Sequence, residues 1–303
     1  MASGRSTGTR PTSTSRGRGS SFGQTRSRFL QARNGEPAVY DAPPAPLETA
    51  PELAYDRYGA SLFSPTAALA SPKKIVDAVA GAARAEGVEL RTDAPVTDLT
   101  PTDEGVELAV DGETERTDIV INAAGAWADA VAGLAGESLP VTPDRRRLSV
   151  LDASISPEAP LAVDVDTGAY VLPRADGRLY AGGKFRPEPD RVSPDDPAAF
   201  TTEFDSAYGN RLRTNGGRLT DLVADATVVE SWTGLYAMTD SRVPIIDRRR
   251  NIAHVTGFSG HGIMQAPGAA MVVARLLDPD QTVARPLAAL SRDRPVTTPD
   301  IQF

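Results

Sequence analysis

Asp118-Ile-Val-Ile-Asn-Ala-Ala-Gly-Ala-Trp127 decides the fold. A short apolar run bounded by a turn reads as a buried strand. It runs into Ala123, Ala124, Gly125 and Ala126, after which helical spacing continues to about Leu134. Small residues at such a strand end let backbone approach another group closely. Ordinary strand-to-helix packing would ask for the same residues.

Working upstream, Ser71-Pro72 reads as an N-cap followed by proline at the first helical position. Ile75, Val76, Val79, Ala80 and Ala83 recur at helical spacing, and Gly87 stands where a helix stops. Short strands are expected at Val88–Leu90 and Val96–Leu99. Val106, Leu108 and Val110 alternate with other residues before Asp111-Gly112, a hairpin turn. A helix, a small meander and a buried strand ending in a small-residue turn form an α/β nucleotide-binding pattern.

Downstream the pattern changes. Residues 139–248 read as α+β with a largely antiparallel sheet. Its strands are expected at Arg147–Leu151, Leu161–Val165, Ala169–Leu172, Leu179–Gly182 and Thr227–Leu235, with an amphipathic helix near 197–213. The first pattern then returns. Asn251–Thr256 is a strand, Gly257-Phe-Ser-Gly-His-Gly262 a glycine-rich turn, and Ile263–Leu277 an apolar, alanine-rich helix.

Composition narrows the chemistry. The 303 residues include no cysteine and two histidines. This excludes a disulfide framework, a thiol nucleophile, an iron–sulfur cluster and a three-histidine metal centre, and no metal site is expected. No apolar run is long enough for a transmembrane helix, and the basic N-terminus lacks the apolar core of a secretory signal. A cytoplasmic location is the expectation. The charge of −8 is uneven. Residues 1–35 hold seven arginines and no acid, leaving 25 basic and 40 acidic groups in 36–303. Three of the basic residues are lysine, and 26 of the acids are aspartate. Such a surface stays hydrated and suits a halophilic setting, although GC-rich coding would bias the sequence in the same direction. The acidic body argues against nucleic acid as a partner. The Ser/Thr/Gly/Arg-rich residues 1–35 read as a basic low-complexity tail without structure. If the tail bound RNA or anionic lipid, that binding would be salt-sensitive.

Three motifs together carry a resemblance. Val120-Ile-Asn-Ala-Ala-Gly-Ala-Trp127, then Trp232-Thr-Gly-Leu-Tyr236 with Pro244-Ile-Ile246, then Gly257-Phe-Ser-Gly-His-Gly-Ile-Met264 occur in this order. The set resembles the FAD-dependent oxidoreductases of the D-amino-acid oxidase, glycine oxidase and sarcosine oxidase (DAO) type. Thr167-Gly-Ala-Tyr170 and Gly177-Arg-Leu-Tyr-Ala-Gly-Gly183 are similar to that family's substrate sheet. The resemblance spans about 55–280. It implies an α/β plus α+β fold: an incomplete FAD/NAD(P)-binding, Rossmann-like domain with an inserted, largely antiparallel substrate domain. The expected divisions are the tail 1–35, a partial FAD-binding domain 36–138, a substrate domain 139–248, a returning strand and helix of the FAD-binding domain 249–280, and a C-terminal tail 281–303.

The resemblance also implies roles. FAD would lie along Ala123, Ala124, Gly125, Trp127, Gly257, Ser259, Gly260, His261, Gly262, Ile263 and Met264, with Val96 near the adenine. The helix opening at Gly262 would place its positive end beside the flavin. The reaction implied is hydride transfer from a small amine, amino acid or 2-hydroxy acid to the flavin. Tyr170, Lys184 and Tyr236 are the candidate catalytic-site donors, with Arg147 and Arg174 behind them. Without cysteine the flavin is held non-covalently, or at least not through sulfur. A serine hydrolase reading of Gly257-Phe-Ser259 fails, because His261 stands where the nucleophile elbow needs glycine.

The departures are equally specific. The family's opening strand, Gly-x-Gly-x-x-Gly turn and ribose-binding acid have no counterpart here. Ala2-Ser-Gly-Arg-Ser-Thr-Gly8 resembles the segment that follows them, and 9–51 loses family character. Gly17, Gly19 and Gly23 follow no strand and are not that turn. The expectation is a body lacking its N-terminal dinucleotide-binding βαβ unit, with uncovered apolar faces, weak FAD binding, and a possible completing partner chain. The alternative to an active enzyme is a non-catalytic remnant or subunit completed in that way.

Overall fold

The computed structural model describes residues 28–33, 36–40, 50–63, 69–183, 190–193, 195, 206–278 and 285–295. Lys184 and most of the arginine-rich N-terminus lie outside them. At its end the expected tail is corrected. Strand β1 (Arg28–Arg33) pairs antiparallel with β2 (Glu36–Tyr40) and parallel with β3 (Ala60–Phe63). The sequence between β1 and β2 is Asn34-Gly35, a favoured hairpin dipeptide.

Helix α1 (Pro72–Ala85) forms where its signals stand. The Ser71 hydroxyl accepts from the Lys74 N–H at 3.4 Å, Pro72 occupies the first position, and Gly87 turns away at φ +87°. The helix nevertheless buries no residue, and Val79 is 65% exposed. Val88–Leu90, expected as a strand, pairs with no strand among the described residues and is exposed.

Strands β4 (Val96–Pro101), β5 (Val106–Val110) and β6 (Glu113–Thr117) form an antiparallel meander. Asp111 and Gly112 turn it at φ +51° and +82°, the left-handed pair a tight hairpin needs. Strand β7 (Val120–Asn122) follows, then a tight turn at Gly125–Trp127 and helix α2 (Ala128–Leu134). Leu99 and Val106 of the meander are buried with Ile252, against Val120, Val131 and Leu134.

The next elements are β8 (Thr142–Ser154), β9 (Ala162–Val163), β10 (Ala169–Pro173), β11 (Arg178–Gly183), helices α3 (Ser206–Leu219) and α4 (Leu222–Asp225), and β12 (Val228–Met238). They make an antiparallel five-stranded sheet of order β12-β8-β11-β10-β9. One face carries Leu151, Ala169, Val171, Leu179 and Ala181, packed with Tyr208 and Leu212 of α3. Helix α3 is described from Ser206 to Leu219, and the earlier part of the expected helix, 197–205, lies outside the described residues.

The chain then returns to its first layer. Strand β13 (Ile245–Arg249) pairs antiparallel with β14 (Ile252–Thr256), and β14 pairs parallel with β7. Strands more than a hundred residues apart thus share one sheet, and the antiparallel module is an insertion between them. Helix α5 (Gly262–Leu277) packs Ala269 and Val273 against Ile246 of β13. The segment 285–295 comes back to the same sheet, where Arg292 pairs with Asp247 at 2.8 Å.

Candidate functional site

Parallel strands β7 and β14 end side by side, with Asn122 opposite His254. Ligand sites in open α/β sheets gather at such carboxyl ends. Two turns leave them. The first is Ala123–Trp127, with Gly125 at φ +57°, and a Cβ there would meet nothing within 4 Å. The second is Gly257–His261, with Gly257, Ser259 and Gly260 all at positive φ. The Thr256 hydroxyl donates to the Gly125 carbonyl at 3.0 Å and ties the turns together.

Side chains underneath hold the first turn. Asn122 is buried; its amide oxygen accepts from the Ala124 N–H at 3.2 Å, and its amide nitrogen donates to the Ala128 carbonyl at 2.8 Å. The same nitrogen lies 3.1 Å from His254 Nδ1, which makes Nδ1 an acceptor and leaves the ring proton on Nε2. His254 Nε2 is 3.3 Å from the Glu137 carboxylate, without a hydrogen bond. Burial, and then the nearby Arg292 cation, push the His254 pKa down, which keeps the ring neutral. Glu137 and Asp247 both pair with Arg292. Burial works against the Asp247 charge, but the Arg292 hydrogen bonds win and its pKa is lowered.

The second turn opens α5, and His261 supplies no side-chain cap. The N–H groups of Gly262, Ile263 and Met264 therefore lack intrahelical acceptors and lie at the positive helix end. Gly260 is held at φ +93° with its Cα against Tyr236, since an added Cβ would sit 2.3 Å from that ring. Strand β12 thus reaches the turn through Tyr236, and the Ser259 N–H donates to the Ala237 carbonyl at 3.0 Å.

The sheet face away from α3 continues from Tyr236. Cross-strand pairing places Asp144, Arg146 and Leu148 on the same side as Tyr236, Gly234 and Trp232. Tyr170 lies over Gly182, whose added Cβ would fall 2.6 Å from the phenol oxygen. Burial raises the Tyr170 pKa far above the ordinary phenol range, with Tyr236 and Tyr208 adding to the effect. Tyr170 is therefore a neutral hydrogen-bond donor.

The structure thus brings together the turns of Ala123–Trp127 and Gly257–Met264 with Tyr236, and sets Tyr170 on the adjoining sheet face. Val96 opens β4 in the separate meander and is exposed. Arg147 is corrected as a donor behind the site. It points to the opposite face, its guanidinium 5.4 Å from the Tyr208 ring of α3. Arg174 is corrected likewise, being paired with Glu230 at 2.9 Å and resting over Tyr180. The sequence reading passed over Arg146, whose guanidinium lies 5.3 Å from the Tyr236 ring. Period-two alternation along β8, anchored on Tyr236 in β12, is the signal that separates it from its two arginine neighbours.

The model of the family described as "FAD dependent oxidoreductase" (DAO) matches residues 5–276. Glycine oxidase of Geobacillus kaustophilus (strain HTA426) is 26% identical over 251 residues, 82% of this chain and 64% of that protein. The chain thus spans less than two thirds of that relative's length. The crystal structure of glycine oxidase from Geobacillus kaustophilus superposes with a TM-score of 0.68 at 22% identity, covering 89% of this chain and 75% of that one. L-proline dehydrogenase from P. horikoshii gives 0.64 at 22% identity, covering 74% and 59%. At these identities the two structures establish the fold.

Proposed function

The chain belongs to the FAD dependent oxidoreductase (DAO) family, and on that premise we propose that it oxidises a small amine, amino acid or 2-hydroxy acid. FAD is the family's cofactor, and when bound it supplies the hydride acceptor. One observation carries the reading: an uncapped helix N-terminus, two glycine-bearing turns at parallel strand ends, and Tyr236 packed on Gly260 converge at one place.

The residues present fit the flavin-ring end of the cofactor. Gly125 leaves open space where a side chain would project, and Ile263 and Met264 are exposed beside the uncapped N–H groups. A planar ring could rest on that apolar surface, with its developing negative charge toward the helix end. Tyr236 and Tyr170 would donate to the polar end of the substrate. Their sheet face would hold the reacting carbon in place and exclude water.

Anaerobic titration of the chain in added FAD tests this reading, using glycine, proline and lactate in turn. Loss of oxidised-flavin absorbance with at least one of them is expected. Unchanged absorbance with all three overturns the reading.

A second reading is favoured by exposed apolar surface: a subunit completed by another polypeptide. Val76 and Val79 of α1, Ile121 of β7 and Met271 of α5 are all exposed. A strand and helix packing there would cover them, and FAD would be held weakly without that cover. Purified chain should then carry far less than one flavin per protein, whereas tight stoichiometric FAD would sink the idea. The acidic, lysine-poor body supports a salt-adapted setting, and no described helix is long and apolar enough to cross a membrane.

A further inference from the structure

Two groups share one oxygen of Glu137. Its Oε2 lies 3.3 Å from Nε2 of the fully buried His254 and accepts a hydrogen bond from Nη1 of Arg292. Arg292 belongs to the returning segment 285–295, and its side chain is 3% exposed. Its Nε and Nη2 donate to Asp247 of β13 at 3.0 and 2.8 Å, and its backbone N–H donates to the same carboxylate at 2.9 Å. Arg294 holds the segment a second time, donating to the Ser241 hydroxyl at 3.0 Å and to the Pro244 carbonyl at 3.1 Å.

The other nitrogen of the ring reaches the first turn. His254 Nδ1 accepts from Asn122, whose amide also donates to the Ala128 carbonyl and accepts from the Ala124 N–H. Both amide hydrogens and the amide oxygen are therefore in use, and they span the Ala123–Trp127 turn. A protonated His254 would carry hydrogen on both nitrogens. Nδ1 would then meet the Asn122 amide donor to donor. Turning the amide over would satisfy Nδ1 and break both bonds to the turn. The charged groups facing the ring are Arg292, Glu137 after α2 and Asp247 of β13, while Asn122 faces it from β7. With Arg292 on Glu137 Oε2, the carboxylate already has a fixed cation as its partner. Without Arg292, the same oxygen is free to stabilise an imidazolium.

We propose that segment 285–295 latches the cofactor-side turn. Arg292 withholds Glu137 from His254, His254 stays an acceptor toward Asn122, and Asn122 holds the turn in the shape that receives FAD. Arg292, His254 and Asn122 are positioning residues, and acid or release of the segment opens the turn. The proposal rests on the reading that FAD lies along Ala123–Trp127.

NMR of the full chain, isotope-labelled at histidine and backbone nitrogen, tests the latch without turnover. The chain has two histidines, so His254→Asn assigns the ring signals. At about pH 8 His254 should carry its proton on Nε2, and the Ala124 N–H should resist solvent exchange. Toward about pH 5 the ring should gain a second proton, and Ala124 should lose its protection at the same midpoint. FAD affinity should fall with it, by about tenfold per pH unit below the midpoint, the slope of one proton. Arg292→Gln should raise the midpoint, and Arg292→Lys should return it toward the wild-type value. His254→Asn, which keeps an acceptor near the place of Nδ1, should hold Ala124 protected and FAD affinity flat over the same range. If Arg292→Gln fails to fold because Glu137 and Asp247 are stranded, wild type and His254→Asn decide.

A His254 proton on Nδ1 at neutral pH overturns the proposal, as does Ala124 protection that survives protonation of the ring. A folded Arg292→Gln with a lower Tm and an unmoved midpoint makes Arg292 a structural residue and overturns the latch. FAD affinity that ignores the midpoint, or no binding at any pH, overturns the role in cofactor retention. A chain whose FAD affinity follows His254, yet whose flavin no substrate reduces, keeps the latch and loses the oxidoreductase reading.

Discussion

Gly260 shows how one residue can set the site. Its φ of +93° disfavours any side chain, and a Cβ would overlap the Tyr236 ring at 2.3 Å. Gly260→Ala should cost about 1–3 kcal/mol of stability and reduce flavin retention, read from thermal melting and absorbance together. An unchanged Tm would mean that the turn relaxes freely. His254 gives a pH prediction. Its folded pKa lies below the ordinary 6.5, so the unfolded chain takes up a proton before the folded one. Its contribution is complete above that unfolded value and is lost as pH falls toward the folded pKa. The urea midpoint should therefore drop between about pH 7.5 and about pH 5.5, and His254→Asn should flatten that drop. A slope identical in the variant would assign the pH dependence to other groups. Asp247 also has a lowered pKa, but its contribution is lost only below the ordinary carboxylate value of 3.8, outside this window.

At the scale of elements, local signals were read well and tertiary contributions were not. Helix α1 was legible because Ser71, Pro72 and Gly87 are chemical punctuation that acts within one turn. The β5–β6 hairpin was legible because Asp111-Gly112 meets a backbone requirement. Val88–Leu90 has strand composition but no pairing strand among the described residues, and pairing is not a local property. Strand β13 went unread because Pro244 and three following arginines obscure Ile245–Ile246; only its pairing with β14 reveals it. Arg146 was missed because the identity of a residue does not say which sheet face it occupies. A mutational contrast follows from the exposures. Leu179 is fully buried in the antiparallel core, so Leu179→Ala should cost about 2–5 kcal/mol. Val76→Lys with Val79→Lys on α1 should change stability by no more than about 0.5 kcal/mol per site. Chemical denaturation of both variants reads this contrast. A large loss from the lysine pair would show that the α1 face is covered in solution.

Over the whole molecule, charge distribution and exposed apolar surface pull in different directions. The body from residue 36 onward carries 40 acidic against 25 basic groups, and like charges on a compact surface oppose folding. Among the described ion pairs, Arg292 with Asp247 and Glu137 is buried and little affected by salt, whereas Lys73–Asp77 is exposed and worth little. Screening should therefore relieve more repulsion than it removes attraction. Salt also strengthens apolar burial when its ions are excluded from the surface. The two effects separate by anion. Raising KCl from about 0.1 M to about 1 M, where the screening length falls to about 3 Å, should raise Tm by screening alone. Potassium sulfate at matched ionic strength should raise it further, and should also promote self-association through the exposed faces of α1 and α5. Scattering recorded during the melt distinguishes the two responses. A Tm that falls with KCl would mean that the exposed ion pairs outweigh the net acidic repulsion, and would remove the physical support for a salt-adapted surface.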